Sequence, residues 1–449
     1  MSLLADLRAA LGEAAVLEGQ DMGAKPASDM SYTGNTPPRA VIRPRSTGEA
    51  ATALRLCNAA GVPVIAQGGM TGLAGGANPS GNEIAISLDL LRGIEEVDTA
   101  SATMVVKAGT PLEDCQQAAA AHGLFLALDL GSRGSCHIGG NLSTNAGGIR
   151  VIRYGMAREQ VLGLEAVLAD GTILSSMNRM LKNNAGYDLK HLFIGSEGTL
   201  GLITRAVLRL HPPPGEITTM LCAAATYEEV VALLRRAQSE LGNIVAFEAM
   251  WRDYFRFNAD ALKLRFFEAD HAFCVIVEST ASREAVETFL GSCLDDGLIA
   301  DALVATSHAQ ARQIWSVREG HPIEALPNLL NFDVSLPIGS IGDYAEACTK
   351  ALLKRWPQAH VSFYGHVGDS NVHICVSTLY GPGEDMHSVD DIVYGVLGAY
   401  HGSISAEHGI GTLKRPYLHL SRSPEELALM RRLKQALDPK GILNPGKVI

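Results

Sequence analysis

Four residues near the C-terminal end of the chain could do chemistry together. His366 and His373 stand on either side of a Gly-Asp-Ser-Asn turn, and Glu407 and His408 follow as an adjacent pair. Residues 363–366 and 372–374 are predicted to be paired strands around the turn, which would bring both histidines within reach of one ion. Imidazole nitrogens and a carboxylate oxygen are ligands of zinc-like divalent ions, and catalytic sites of this kind leave positions open for substrate. Histidines on paired strands are also common as structural hydrogen-bonding residues, so the pattern alone leaves both interpretations open.

A glycine-dense loop at residues 68–76 could wrap a pyrophosphate group. Backbone amides converge on an anion only where side chains do not keep it away. The loop matches neither the dinucleotide fingerprint nor the lysine-terminated nucleotide loop, and on its own it is more typical of a tight turn. A second segment at 129–148 is rich in Gly, Ser and Asn, and it is predicted to be a long irregular loop that binds a ligand.

The composition indicates a globular chain with more than one core. With 449 residues and 47% hydrophobic content, the chain can fill two principal domains. The formal net charge of -11, without a basic stripe, argues against a nucleic-acid-binding surface. An acidic substrate must therefore be attracted by cations close to the site. The eight cysteines lack close paired spacing and are predicted to be reduced thiols in the core.

The sequence contains no pattern typical of secretion or of membrane insertion. Residues 2–16 carry charges at helical intervals, which predicts an amphipathic surface helix and not a signal sequence. No stretch of about twenty residues is apolar enough to span a bilayer. We therefore expect a cytoplasmic protein, with peripheral association with the inner membrane left open.

Local signals predict an α+β fold. Residues 47–60 are predicted to form a helix, because Ser46 offers an N-cap and Gly61 a stop. Strands at 161–168 and 172–174 flank an Asp-Gly turn and are predicted to form a hairpin.

A proline-rich break at 211–215 marks a domain boundary. Beyond it, repeated strand-helix-strand units predict a ferredoxin-like antiparallel sheet in a substrate domain. The predicted domains are residues 1–211, residues 212–403, and a C-terminal segment at 404–449 that returns to the first domain as a cap.

Several separated segments resemble one known family, in the order in which that family has them. They are Val41–Pro44 and the glycine-rich loops at 68–76, 139–148 and 195–201. Together they resemble the vanillyl-alcohol oxidase family, whose members carry a PCMH-type FAD-binding domain. The histidine and glutamate motifs narrow the resemblance to the branch of D-2-hydroxyglutarate dehydrogenase, FAD-linked D-lactate dehydrogenase and the glycolate oxidase catalytic subunit. The resemblance covers nearly the whole chain and implies a first domain of two subdomains that binds FAD.

The resemblance implies which residues surround FAD. The glycine loops would hold the pyrophosphate, and Asn444 would close over the isoalloxazine ring from the C-terminal segment. Met70 stands where some members carry a histidine that attaches the flavin covalently, so the FAD is expected to be dissociable. The implied cofactor-binding residues are Gly68, Gly69, Met70, Thr71, Gly72, Leu73, Gly75, Gly76, Ser132, Gly139, Gly140, Ser143, Thr144, Asn145, Gly147, Gly148, Glu197, Gly198, Ile203 and Asn444.

The resemblance also implies a metal and a reaction. His366, His373 and Glu407 would bind a divalent ion, expected to be zinc, which would chelate the carboxylate and hydroxyl of a D-2-hydroxy acid. Metal coordination lowers the pKa of that hydroxyl, His408 would accept its proton, and a hydride would pass to flavin N5. His408 could instead orient Glu407. Arg318 would clamp the substrate carboxylate, with a surface ion pair to Glu319 or Glu324 as the alternative.

Two positions depart from the family pattern. Asn331 stands where relatives commonly carry a lysine, and Cys375 stands where the hydroxyglutarate enzymes carry an amide. Both are candidate substrate-contacting positions. Both changes remove groups that could bind a second, distal carboxylate of the substrate, so such a carboxylate is expected to be held less firmly. The acid could therefore be D-lactate, D-2-hydroxyglutarate or a similar compound.

The expected protein is a dehydrogenase that passes electrons to a separate acceptor, namely a quinone, a cytochrome or an electron-transfer flavoprotein. No iron-sulfur cysteine pattern is present. Two alternatives are an oxidase that uses oxygen and a non-catalytic FAD-binding subunit of a glycolate-oxidase-like complex. The joint presence of metal ligands, a base and a carboxylate clamp argues against the second. A homodimer is left open.

Overall fold

The computed structural model describes residues 2–379 and 387–449. It divides into two compact units. The first contains Met1–Gly148, Tyr154–Pro213 and Glu407–Ile449, and the second contains Ile149–Arg153 and Pro214–Ala406. The sequence predicted divisions after residues 211 and 403.

The first unit begins with a small four-stranded sheet in the order β1-β2-β4-β3. β2 and β3 both run parallel to β4, and β1 is antiparallel to β2. The predicted helix after β2 is confirmed: the Ser46 side chain accepts from the Glu49 amide, and Gly61 ends the helix in the left-handed conformation. The elements are α1 (Leu3–Leu11), β1 (Val16–Leu17), β2 (Ala40–Ile42), α2 (Thr47–Ala60), β3 (Val64–Gln67) and β4 (Ile84–Ser87).

A second sheet of the same unit has five strands in the order β5-β6-β9-β7-β8, all antiparallel. The predicted hairpin is confirmed as β7 paired with β8. Aliphatic side chains from both sheets, such as Ile42 and Val106, belong to one buried core. The elements are β5 (Ile94–Asp98), β6 (Thr103–Lys107), α3 (Leu112–Ala121), α4 (Ile138–Thr144), β7 (Val161–Val167), β8 (Ile173–Ser176), α6 (Lys190–Phe193) and β9 (Leu202–Arg209). Helix α5 (Val151–Tyr154) lies mostly in the segment Ile149–Arg153, which belongs to the second unit.

The prediction of an irregular loop throughout 129–148 is wrong at its centre, where α4 forms. Ile138 and Leu142 are buried in the core of the unit. A Cβ on Gly139 would lie 2.6 Å from the Ala108 Cβ, so only glycine lets the helix pack this closely. The Ser143 hydroxyl donates back to the Gly139 carbonyl at 2.7 Å. Packing therefore outweighs the low helix propensity of this stretch.

The second unit is built on a seven-stranded sheet in the order β13-β10-β12-β11-β15-β16-β14, and every neighbouring pair is antiparallel. The predicted α+β class, with an antiparallel sheet in the second domain, is thus confirmed. The elements are β10 (Thr218–Ala224), α7 (Tyr227–Glu240), β11 (Ile244–Trp251), α8 (Arg252–Leu262), β12 (Phe273–Ser279), α9 (Arg283–Asp295), β13 (Asp301–Val304), α10 (His308–Glu319), β14 (Leu329–Ser335), α11 (Ile341–Arg355), β15 (His360–Gly365), β16 (Asn371–Ser377) and α12 (His387–Gly398).

The C-terminal segment rejoins the first unit. Its helix α13 (Pro424–Leu437) starts with a reciprocal capping box between Ser423 and Glu426. After the helix, the Val64 amide donates to the Ile442 carbonyl at 2.7 Å, which ties the tail to β3.

The eight cysteines are all buried free thiols, as predicted. Among the described residues, none of the helices combines the length and hydropathy needed to cross a bilayer.

Candidate cofactor and substrate sites

The first unit encloses a cavity of about 430 Å³ whose walls carry the glycine loop at 68–76. This volume is in the range of small-molecule and cofactor pockets. Every residue implied to bind FAD lines it except Gly75, Asn145, Gly147 and Gly148. Those four lie within two residues, along the chain, of residues that do line it.

Two glycines of this wall are required for different reasons. A Cβ on Gly69 would lie 2.1 Å from the Ser135 carbonyl oxygen, so this glycine allows two backbone segments to touch. A Cβ on Gly140 would meet no protein atom within 4 Å, although Gly140 lines the cavity. The missing side chain at Gly140 therefore leaves room for a ligand. The cavity fits a dinucleotide cofactor such as FAD.

Asn444 and Glu197 close one side of this cavity. The Asn444 amide oxygen accepts from the Ala66 amide at 2.8 Å, and its nitrogen donates to the Glu197 carbonyl at 2.6 Å. The Glu197 carboxylate in turn accepts from the amides of Ile410 and Gly411 at 2.7 and 2.8 Å. Burial raises the pKa of Glu197, against the lowering effect of these two donors. Both residues thus join the C-terminal segment to the wall.

Glu407 and His408 line the same cavity. The Glu407 Oε1 atom accepts from the Gly148 amide at 2.6 Å. Gly148 itself has a φ of +98° and lies against the Asp129 carbonyl, so its backbone position is fixed. The predicted metal-binding carboxylate and the predicted base therefore border the space expected to hold the flavin.

The two predicted metal-binding histidines lie together in the second unit. The predicted strand pairing is confirmed, with Tyr364 opposite His373 in β15 and β16. His366 directly follows β15, and the centroids of the two imidazole rings are 5.3 Å apart at an interplanar angle of 79°. Gly365, with a φ of +154°, lies so close to β16 that a Cβ would come within 2.8 Å of the Asn371 carbonyl. The turn between the strands thus brings both imidazoles to one place.

Each of these histidines has a buried carboxylate beside its Nδ1 atom. His366 Nδ1 lies 2.5 Å from Glu248 Oε1, and His373 Nδ1 lies 3.9 Å from Asp333 Oδ1. The other oxygen of Asp333 accepts from the Ala406 amide at 3.1 Å. Metal-binding histidines commonly use one ring nitrogen for such a carboxylate and the other for the metal. The chemistry of these donors fits a divalent ion held through Nε2 atoms.

Glu248 was not singled out from the sequence. It is 1% exposed and lies in β11, in the otherwise apolar run Ile-Val-Ala-Phe-Glu-Ala-Met-Trp. A lone carboxylate in a buried strand was the signal that could have found it. Burial raises the pKa of Glu248, but the contacts with His366 and Arg318 lower it by more, so the net shift is downward.

Arg318 is buried, so the alternative of a surface ion pair with Glu319 or Glu324 is wrong. Its Nε atom donates to Glu248 Oε2 at 2.6 Å. The guanidinium carbon lies 4.6 Å from the centre of the Tyr364 ring, and Nη2 lies 3.4 Å from His366 Nε2. The arginine is therefore fixed beside the histidine pair, where a carboxylate-binding role remains a prediction.

Asn331 and Cys375 occupy opposite positions on β14 and β16. The Cys375 thiol donates to the Asn331 amide oxygen at 3.2 Å. Burial raises the pKa of Cys375 to about 12, so the thiol is neutral at physiological pH. Neither side chain of this pair carries a positive charge that could bind a second carboxylate of the substrate.

Comparisons with known proteins agree with this fold. Residues 38–176 match the FAD binding domain model, and residues 213–448 match the model of the C-terminal domain of FAD linked oxidases. The chain superposes on p-cresol methylhydroxylase with a TM-score of 0.78 and on 4-ethylphenol oxidase from Gulosibacter chungangensis with 0.76, covering 99% of this chain and 96% of each of those chains. Identities of 15% and 18% make this a likeness of fold.

Three relatives are much closer in sequence. The D-2-hydroxyglutarate dehydrogenases of Bos taurus and Xanthomonas citri pv. viticola are each 39% identical over 92% of this chain and over 77% and 89% of their own lengths. The enzyme of Arabidopsis thaliana is 36% identical over 98% of this chain and 80% of its own.

The fold and the glycine-lined cavity define an FAD-dependent oxidoreductase. The chain belongs to the FAD-linked oxidase family, in the branch of the D-2-hydroxyglutarate dehydrogenases, and it is an FAD-dependent dehydrogenase of D-2-hydroxy acids.

Proposed function

We propose that this chain oxidises a D-2-hydroxy acid to the 2-oxo acid with the help of a divalent metal ion. The observation that carries the proposal is that Glu407 and His408 line the same cavity as the glycines expected to hold FAD. FAD, when bound, accepts a hydride at N5, and a divalent ion would make the substrate hydroxyl more acidic.

The residues of the chain have separate roles in this proposal. His366 and His373 supply imidazole ligands for the metal, which we propose to be zinc, and Glu407 is the third ligand expected from the sequence. Arg318 pairs with the substrate carboxylate through the N–H groups at the edge of its planar guanidinium. The imidazole of His408 accepts the proton of the substrate hydroxyl as a hydride leaves the carbon that bears this hydroxyl.

We propose D-2-hydroxyglutarate as the first candidate substrate, because the relatives described above carry that name. A shorter acid such as D-lactate is the second candidate. The neutral Asn331–Cys375 pair favours it, since neither side chain supplies a cation for a second carboxylate.

Electrons must then leave through a separate acceptor, for which we keep a quinone, a cytochrome or an electron-transfer flavoprotein. The spacing of the cysteines matches no iron-sulfur cluster pattern, which is why the proposal includes a separate acceptor. A cytoplasmic location, peripheral membrane association and a homodimer remain predictions from the sequence.

Steady-state kinetics with an artificial electron acceptor test the proposal. FAD-loaded, zinc-loaded protein is assayed with D-2-hydroxyglutarate, D-malate, D-lactate and the corresponding L-acids. A kcat/KM for one D-acid at least about 100-fold above its L-enantiomer supports the proposal, and the ranking among D-acids separates the two candidate substrates. Equal rates for D- and L-acids would contradict it.

A further inference from the structure

The carboxylate of Glu248 touches two residues to which the proposed function gives different tasks. One oxygen lies 2.5 Å from His366 Nδ1, and the other lies 2.6 Å from Arg318 Nε. Glu248 is 1% exposed, so water does not compete for either contact. All three residues belong to the second unit.

Strand pairing places these residues together. Ala249, next to Glu248 on β11, is paired with Gly365 at the end of β15, and His366 is the next residue of the chain. Arg318 is in the last turn of α10, and its guanidinium lies over the ring of Tyr364. That ring stacks in turn on Tyr254, with the two ring centroids 3.9 Å apart. Each of the three side chains is therefore held by packing as well as by its polar contact.

The charges of Glu248 and Arg318 indicate whether the contact between Glu248 and His366 is needed for stability or serves to position the histidine. The Arg318 guanidinium alone neutralises the Glu248 carboxylate, so the contact with His366 is not needed to compensate the buried charge. A carboxylate that contacts Nδ1 of a neutral imidazole accepts the proton carried by that nitrogen. The Nε2 atom is then the nitrogen that can bind a metal ion.

We propose that Glu248 is a positioning residue that sets the tautomer of His366 and the orientation of Arg318 at once. This inference rests on the proposed metal-assisted function. It predicts that metal binding and substrate-carboxylate binding are coupled through one side chain, so a change at Glu248 weakens both.

The Glu248→Gln variant tests this directly. A glutamine has one acceptor oxygen and one NH2 group, so either His366 Nδ1–H or Arg318 Nε–H must then face a donor. We expect zinc affinity, measured by competition with a chromophoric chelator on FAD-loaded protein, to fall about 10- to 100-fold. We also expect KM for the D-2-hydroxy acid to rise at saturating zinc.

Glu278→Gln is the matched control. Glu278 is a buried carboxylate on the neighbouring strand β12, where it bonds Arg150 at 2.8 Å and the side chains of Thr219 and Trp315. We expect this variant to keep the zinc affinity of the unmodified protein. A second measurement does not depend on any change at Glu248: imidazole 15N shifts of the zinc-free protein, assigned with His366→Gln, should report a neutral ring with the proton on Nδ1.

The outcomes are distinct. Unchanged zinc affinity in Glu248→Gln, or a proton on Nε2 of His366, would overturn the inference while leaving the proposed function standing. If the unmodified protein binds no zinc or other divalent ion, the metal-assisted function itself fails, and the inference fails with it. If Glu248→Gln does not fold, the tautomer measurement still decides.

Discussion

The side-chain nitrogen of Asn444 donates to the carbonyl oxygen of Glu197 at 2.6 Å, which joins the end of the chain to the cofactor cavity. Asn444 has a φ of 41° and Glu197 a φ of 50°, so both backbones are in the left-handed region. Strain of this kind persists only where surrounding contacts determine it, and it is common at ligand sites. The contact therefore connects cofactor binding with the stability of the C-terminal segment.

Asn444→Asp should weaken FAD binding. The carboxylate cannot donate to the Glu197 carbonyl and places two acceptors against each other, which costs on the order of 1–3 kcal/mol. We expect the Kd for FAD, measured by flavin fluorescence, to rise at least about tenfold. The exposed Asn35→Asp controls for the added charge. Unchanged FAD affinity in Asn444→Asp would contradict this role.

Gly140→Val should abolish FAD binding without unfolding the protein. The new side chain meets no protein atom near its Cβ, yet it occupies the cavity. Gly291→Val is the matched control, because Gly291 is also helical and also has open space around its Cβ. Circular dichroism should give the same fold for both variants, and only Gly291→Val should retain yellow colour. Full FAD content in Gly140→Val would show that the cofactor binds elsewhere.

His373→Ala should lose the metal and keep the flavin, since the cavity wall is made by residues of the first unit. Loss of a metal that acidifies the substrate hydroxyl should lower kcat at least about 100-fold, which corresponds to about 3 kcal/mol of barrier. Elemental analysis and flavin absorbance measure both contents. The exposed His419→Ala should change neither, and a metal-free His373→Ala variant with full activity would refute metal assistance.

Stability at low pH should depend in part on Glu83. Burial raises the pKa of this carboxyl, but hydrogen bonds from Ser80 and the charge of Lys447 lower it below its usual value of 4.5. A carboxyl whose pKa is lower in the folded state than in the unfolded state stabilises the protein fully at pH values above the unfolded pKa. This contribution is lost as the pH falls through the folded-state pKa. Glu83→Gln should therefore lower Tm at pH 7, and the Tm difference should shrink as the pH is lowered progressively below 4.5. A Tm difference that grows on acidification would contradict this assignment.

The parts predicted from the sequence depend on local signals. The helix at 47–60 follows from its Ser46 cap and Gly61 stop, and the pairing of the His366 and His373 strands follows from the short turn between them. These signals lie within a few residues of the structure that they determine.

The parts that were missed depend on contacts between residues far apart in the chain. Helix α4 forms because Gly139 packs against Ala108, which propensity alone does not reveal. Arg318 pairs with Glu248, 70 residues earlier, so its neighbours Glu319 and Glu324 suggested the wrong partner. Strand register and burial decide such pairs, and neither can be read from local spacing.

Anaerobic bleaching of the flavin is the most direct test of the central claim, which is that this chain oxidises D-2-hydroxy acids through FAD. The FAD-loaded protein is mixed without oxygen with D-2-hydroxyglutarate or D-lactate, with the L-acids, and with the D-acids after chelator treatment. We expect at least one D-acid to bleach the flavin absorbance and chelation to slow that bleaching strongly, whereas the L-acids should leave it unchanged. Absence of bleaching by every D-acid, with FAD and metal bound, would contradict the account.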